Sequence, residues 1–128
     1  MPSAVEGFKM ILVDTSVWIS HLRRHNQRLD DLLGTEVIFC HPFIIGELCC
    51  GNLKNRPTVL SLLDELPKVP VVTQEEAMGF IESNRLMGIG LGFVDIHLLA
   101  SCQMNDLSIW TEDKPLQKAA HSLGLAQH

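Results

Sequence analysis

The chain has 128 residues, 46% of them hydrophobic, and a formal net charge of −5. This is material for one ordinary domain with a sizeable core. The negative balance excludes a protein that grips nucleic acid through a global basic field, so such a substrate would have to meet a local basic patch and a metal.

No run reaches the roughly 18 apolar residues of a membrane span. The opening MPSAVEGFK lacks the basic start and apolar stretch of a signal peptide. A cytoplasmic protein with no membrane association is therefore expected. Residues 1–9 are set apart as an N-terminal extension, and 10–128 are expected to form a single domain. Cys40, Cys49, Cys50 and Cys102 show no CxxC spacing and sit among apolar residues, which predicts reduced core thiols.

In chain order, MILV (10–13) is a short, wholly apolar run ending at an Asp, the pattern of a buried parallel strand. Thr15 and Ser16 are candidate caps for a following helix whose inner side carries Val17, Trp18, His21 and Leu22. A second helical piece is predicted over Arg28–Leu33, stopped by Gly34. Glu36–Cys40 reads as a strand, and Pro42 opens a helix ending near Gly51 and Asn52. Pro57 opens another, closed by Pro67. Lys68–Val72 reads as a short strand, with Pro70 arguing for an edge position. Thr73 with Glu76 forms a capping box for a helix to about Met87.

GIGLG (88–92) is a loop; no strand precedes it, so it is not a dinucleotide fingerprint. Phe93–Met104 reads as an apolar helix, Leu107–Trp110 as a strand, and Lys114–Leu123 as a last helix stopped by Gly124. Strands alternate with helices, which predicts an α/β class with a central parallel sheet covered on both faces, a three-layer α/β/α domain.

Four carboxylates stand where apolar segments meet turns or helices: Asp14 in MILVDTSVWI, Glu47 in PFIIGELCCG, Asp95 in GFVDIHLLAS and Asp113 in SIWTEDKPL. Burying an unpaired charge is costly, so acids are rarely placed among aliphatic residues. A shared cation resolves that cost, and carboxylate clusters are how proteins hold Mg²⁺ or Mn²⁺. Asp14 and Asp113 follow strands closely and belong to the carboxyl edge of the sheet, where functional groups gather. Glu47 and Asp95 would reach that edge from helices, and Thr111 is placed to hydrogen-bond a metal ligand or its water. The chemistry implied is metal-assisted hydrolysis of a phosphoester. Each acid also has a plainer reading: Asp113 and Asp95 as helix caps, Asp14 as a turn residue. Glu47 gains nothing from capping in mid-helix.

The strand with DTSVWI, the PFIIGEL segment, GIGLGFVDIHLLAS and IWTEDKPLQ together resemble the PIN-domain nucleases, and among them the ribonuclease toxins of the VapBC toxin–antitoxin type. The match runs from Met10 to about Leu123. The resemblance implies that Asp14, Glu47, Asp95 and Asp113 form an acidic site. It also implies dependence on Mg²⁺ or Mn²⁺, cleavage of RNA, a homodimer and a cognate antitoxin. Asp14 and Asp95 are the expected direct metal ligands. Glu47 is the expected residue to orient or deprotonate the attacking water, and Asp113 completes the metal shell or holds a second ion. Glu112 is an adjacent spare carboxylate.

His21, Arg23, Arg24, His25 and Arg28 form a basic stretch that is either an RNA guide or an ordinary solvated face, and Lys54 with Arg56 and Lys114 with Lys118 are weaker candidates of the same kind. Trp18 and Trp110 read as core residues. His97 is not expected to bind metal, because two residues on along a helix it points to nearly the opposite side from Asp95. An Asp-nucleophile phosphatase would carry a second Asp where Ser16 stands. A receiver domain would need a paired acid and a late Lys. The remaining alternative of another class is a PIN-like binding module acting mainly through its partner in a DNA-bound complex.

Overall fold

The computed structural model describes residues 10–127; the expected extension at 1–9 lies outside the described residues. Three strands, β1 (Ile11–Val13), β2 (Ile38–Phe39) and β3 (Ser108–Trp110), form a parallel sheet in the order β2-β1-β3. Ile11 pairs with Ile38 and Ser108, and Leu12 with Phe39 and Ile109. All three β1 residues are buried, as a strand covered on both faces requires. Single parallel bridges, Cys40 to Lys68 and Ile109 to Ala126, extend the sheet at its two margins.

Seven helices connect and cover these strands: α1 (Thr15–Arg23), α2 (Gln27–Leu33), α3 (Pro42–Cys49), α4 (Arg56–Glu65), α5 (Gln74–Asn84), α6 (Phe93–Asn105) and α7 (Lys114–Ser122). Helix α6 packs against β3 and α5, while α3 packs against α1 and α4. The alternation expected from the sequence is thus present as an α/β/α arrangement with a parallel central sheet. Leu12, Trp18, Ile44, Leu63, Leu99, Ile109 and Leu116 are among the fully buried core.

The expected strand at 36–40 is shorter, and that at 68–72 shrinks to one bridge. The reason is a missing donor. Cys40 N–H donates to Pro67 O, and Val69 N–H to Cys40 O. The next donor on that side of the ladder would be Pro42, which has no N–H. Helix α5 carries the expected Thr73–Glu76 capping box, but it ends at Asn84 because Arg85 turns into the left-handed region at φ 53°.

The inner face of α1 is narrower than expected. Val17 and Trp18 are buried, whereas Leu22 is 42% exposed. The cap of α1 is Asp14, not Thr15 or Ser16. The cysteines are free thiols, but only Cys40 and Cys102 are core; Cys49 is half-buried and Cys50 exposed. Trp18 is core, as expected. Trp110 is only partly buried, with the Arg28 guanidinium 4.8 Å over its ring.

His41 is a buried residue that the sequence does not flag. It caps α3, its Nδ1 accepting from Phe43 N–H at 3.0 Å, and its Nε2 has no hydrogen-bond partner among the described residues. Burial, with a smaller contribution from nearby His97, pushes its pKa down to about 4. The group is therefore neutral when folded and titrates normally when unfolded. Its contribution to stability is complete above pH 6.5 and is lost as pH falls toward 4, amounting to at most about 3 kcal/mol. Replacing it by Asn keeps a capping oxygen but removes the titration. The expected result is that His41→Asn flattens the fall in unfolding free energy between pH 6.5 and 4, measured by urea denaturation at a series of pH values. An unchanged slope would assign the acid lability elsewhere.

Candidate active site at the carboxyl edge of the sheet

Asp14 follows β1 directly and is only 5% exposed. Its backbone N–H donates to Trp110 O at 2.9 Å, which continues the β1–β3 pairing past the last strand residue. Its side chain is held by two hydroxyls. Ser16 Oγ donates to Asp14 Oδ2 at 2.8 Å, and Thr111 Oγ1 to the same oxygen at 2.7 Å. Each hydroxyl also accepts a backbone N–H from the turn after β3: Glu112 N–H to Ser16 Oγ at 2.9 Å, and Asp113 N–H to Thr111 Oγ1 at 3.0 Å. A buried carboxylate needs such donors, because an unsatisfied one costs several kcal/mol. The hydrogen bonds to this side chain all land on Oδ2, including a longer one of 3.4 Å from Ser16 N–H. Oδ1 is the oxygen left over for another partner.

Asp113 caps α7, accepting from Leu116 N–H at 3.1 Å. Asp95 lies in the first turn of α6 and accepts from Gly92 N–H at 3.1 Å. The capping readings of Asp95 and Asp113 are therefore correct. They do not compete with a site, because each carboxylate is thereby fixed at a helix N-terminus, where the backbone dipoles favour negative charge. Glu47 comes from the second turn of α3 and is exposed; Thr15 Oγ1 donates to its Oε1 at 2.7 Å.

Three of the acids act on the fourth. The Asp95 carboxyl is pushed above the usual carboxylate range, first by burial and then by the negative charges of Asp14, Asp113 and Glu47, with the Gly92 hydrogen bond opposing. The structure thus places Asp14, Asp113 and Glu47 within electrostatic range of Asp95. Among the described residues the ion pairs are His25–Asp30 (3.7 Å) and Lys68–Asp64 (4.0 Å), and neither touches this cluster. Among the described residues no three Asp, Glu, His or Cys side chains lie close enough together, as placed, to hold a metal ion. The donors are all hard carboxylate oxygens lacking a cationic side chain, the set taken by Mg²⁺ or Mn²⁺ with water filling the remaining positions.

Glu112 is turned away toward α1, where Ser20 Oγ donates to its Oε1 at 2.5 Å. His97 is buried between Phe43 and Phe93, with ring centroids 4.9 and 4.7 Å away. The basic stretch is largely structural. His21 Nδ1 accepts from Asn26 N–H, His25 pairs with Asp30, and Arg28 lies over Trp110. The bridging role of Ser16 and the hold of Thr15 on Glu47 are not anticipated from the sequence. The signal is present in the run Asp14-Thr15-Ser16, which places two hydroxyls immediately after the strand acid.

Residues 11–122 match the family model of the PIN domain. The chain is 48% identical over 118 residues to Ribonuclease VapC32 of Mycobacterium tuberculosis, covering 91% of this chain and 95% of that protein. Among solved structures it is similar to PAE2754 from Pyrobaculum aerophilum, with a TM-score of 0.63 at 14% identity, covering 90% of this chain and 92% of that one. It is also similar to FitAcB from Neisseria gonorrhoeae, with a TM-score of 0.60 at 21% identity, covering 88% and 94%. These two likenesses speak to the fold, and the first two findings to descent: the chain belongs to the PIN-domain family and, within it, to the VapC ribonucleases.

Proposed function

We propose that this protein is a divalent-metal-dependent endoribonuclease and the toxin of a toxin–antitoxin pair, with Asp14, Glu47, Asp95 and Asp113 as its catalytic residues. The observation that carries the reading is the convergence of the Asp14, Asp113 and Glu47 charges on the Asp95 carboxyl, with no cationic side chain paired to any of the four among the described residues. The relationship to a ribonuclease supplies the substrate class.

Asp14 and Asp95 are the residues proposed to hold Mg²⁺ or Mn²⁺, with Asp113 completing the site. When bound, such an ion polarises the scissile phosphate and lowers the pKa of an attacking water. Asp14 offers Oδ1 while Oδ2 stays fixed by Ser16 and Thr111. Glu47, steadied by Thr15, is exposed and placed to orient the water and accept its proton. The water oxygen bonds to phosphorus and its proton passes to the carboxylate, while the bond to the departing ribose oxygen breaks and that oxygen takes a proton from solvent water. A PIN-like binding module acting only through its partner would have no use for this set of acids.

In the cell we place the protein in the cytoplasm as a homodimer restrained by a cognate antitoxin. No helix among the described residues is long and apolar enough to cross a membrane.

The activity is tested with a labelled RNA. Cleavage is expected with Mg²⁺ or Mn²⁺ and none after thorough chelation. Asp14→Asn and Asp95→Asn should each lower the rate by more than about 100-fold, beyond what loss of a supporting group costs, whereas Glu112→Gln should change it little. Cleavage that survives chelation undiminished would refute the metal reading.

A second expectation needs no activity. A carboxyl whose folded pKa is raised destabilises the fold at neutral pH, and the penalty vanishes as pH falls below its unfolded pKa. Asp95→Asn keeps an acceptor for Gly92 N–H, so it should raise the melting temperature of metal-free protein at pH 7. The gain should shrink toward the ordinary carboxylate range, and saturating Mg²⁺ should narrow it by stabilising the unmodified protein. A lowered melting temperature would mean that Asp95 serves mainly as a cap.

For the partner, expression alone should arrest growth, and co-expression with a small DNA-binding protein encoded immediately upstream should relieve it. An Arg on the partner can pair bidentately with carboxylates and compete with Mg²⁺. Inhibition of RNA cleavage should therefore weaken when the partner's arginines are changed to Ala. Full inhibition by the altered partner would mean blocking by shape alone.

A further inference from the structure

Helix α7 begins at Asp113, inside the acid cluster, and runs away from it. Lys114, Lys118 and His121 lie at the spacing that places side chains on one helix face. Its opposite face, Leu116, Ala119 and Ala120, is buried in the core. The polar face forms one wall of an open groove of about 480 Å³. Its lining includes Thr111, whose hydroxyl donates to Asp14 Oδ2, and Glu112 and Lys114, the neighbours of Asp113 in the chain. A second cavity of about 530 Å³ on the other side of α7 reaches neither Thr111 nor Glu112.

The groove collects positive charge in a protein whose net charge is −5. Neither Lys114 nor Lys118 is paired with a carboxylate among the described residues. The one acid in the wall, Glu112, is held toward α1 by Ser20. The other basic cluster, Arg23 and Arg24, sits at the far end of α1, about 13 Å from Asp14 at the usual helical rise. Lys114 follows Asp113 directly, and Lys118 is about 6 Å further along the same helix.

We propose that the Lys114–Lys118 face of α7 is the subsite for the RNA backbone next to the cleaved bond, holding phosphates that flank the scissile one. The proposal rests on the ribonuclease reading for its substrate. The acids repel a phosphodiester, and so does the protein as a whole. Cations immediately beside the acids offset that repulsion and set the direction in which the strand enters. Lys114 and Lys118 touch flanking phosphates, not the reacting atoms, and are positioning residues.

The test uses the full chain and a fluorescein-labelled single-stranded RNA of about 20 nucleotides and mixed sequence, long enough to cover the groove and flanking phosphates. Binding is followed by anisotropy in chelator, so that nothing is cleaved, over a range of salt concentrations. Lys114→Ala/Lys118→Ala should weaken binding at least about 10-fold at roughly 0.1 M salt and reduce the slope of log affinity against log salt by about 1.4, the change expected for two lost phosphate contacts on a single strand. Lys114→Arg/Lys118→Arg should restore both. Arg23→Ala/Arg24→Ala removes the same charge from the far end of α1 and should leave the slope nearly unchanged.

Unaltered affinity and slope in the α7 variant would overturn the proposal, as would an equal loss in the α1 variant or failure of the unmodified protein to bind. Binding that follows the expected pattern, without cleavage when Mg²⁺ or Mn²⁺ is supplied, would sink the nuclease reading and leave the α7 subsite standing.

Discussion

The interaction on which the site depends is the capture of one buried carboxylate oxygen by two hydroxyls from different ends of the chain. Asp14 Oδ2 receives Ser16 Oγ–H from α1 and Thr111 Oγ1–H from beyond β3. A negative charge so deeply covered would be untenable without such donors. The same two hydroxyls accept the Glu112 and Asp113 N–H groups, so the turn that carries Asp113 is fixed to the residue that ends β1. The Asp14 N–H to Trp110 O bond ties the two strand ends through the backbone as well. The position of one acid thus dictates the position of another from the opposite end of the chain.

Three of the four acids also serve the helices they begin. Asp14, Asp95 and Asp113 satisfy N–H groups at the starts of α1, α6 and α7, which would otherwise go unpaired. The arrangement answers an awkward physical question: how a small protein keeps four like charges together while no ion is bound. Helix N-termini and capping donors supply part of the missing positive charge. They do not supply all of it, and the shortfall appears at Asp95, whose carboxyl is raised by burial and by its three neighbours. The loop before α6 helps bring that acid in. Gly90 adopts φ +90° against the Pro115 ring at the start of α7, a backbone shape that a side chain would strain.

Electrostatically the molecule is divided. The carboxyl edge of the sheet concentrates negative charge, and the solvent face of α7 presents lysines from the first turn onward. This helix therefore has three sides of consequence: a cap that belongs to the acids, an apolar stripe that belongs to the core, and a basic face that borders the groove. The basic stretch after α1 has no comparable face, because His21, His25 and Arg28 are used in local contacts.

Much of this is legible in the residues. Short apolar runs separated by helical patterns specify a parallel α/β sheet, because a strand buried on both faces must be apolar throughout. Asp14, Glu47, Asp95 and Asp113 stand out because charge is rarely placed among aliphatic residues unless something requires it. Local chemistry also fixes the Thr73–Glu76 capping box and the stops at Gly34 and Gly124. What only the tertiary structure decided depends on groups distant in the chain. The pairing of Ser16 and Thr111 on one oxygen, the grip of Thr15 on Glu47, and the diversion of Glu112 to Ser20 are each contacts between separate elements. Leu22 and Trp110 follow an apolar pattern, yet their exposure is set by what packs beside them. Sequence determines which groups are costly to bury and which segments are regular. Tertiary packing decides which partner meets that cost, because hydrogen bonds and charge repulsion act over a few ångströms of space and not along the chain.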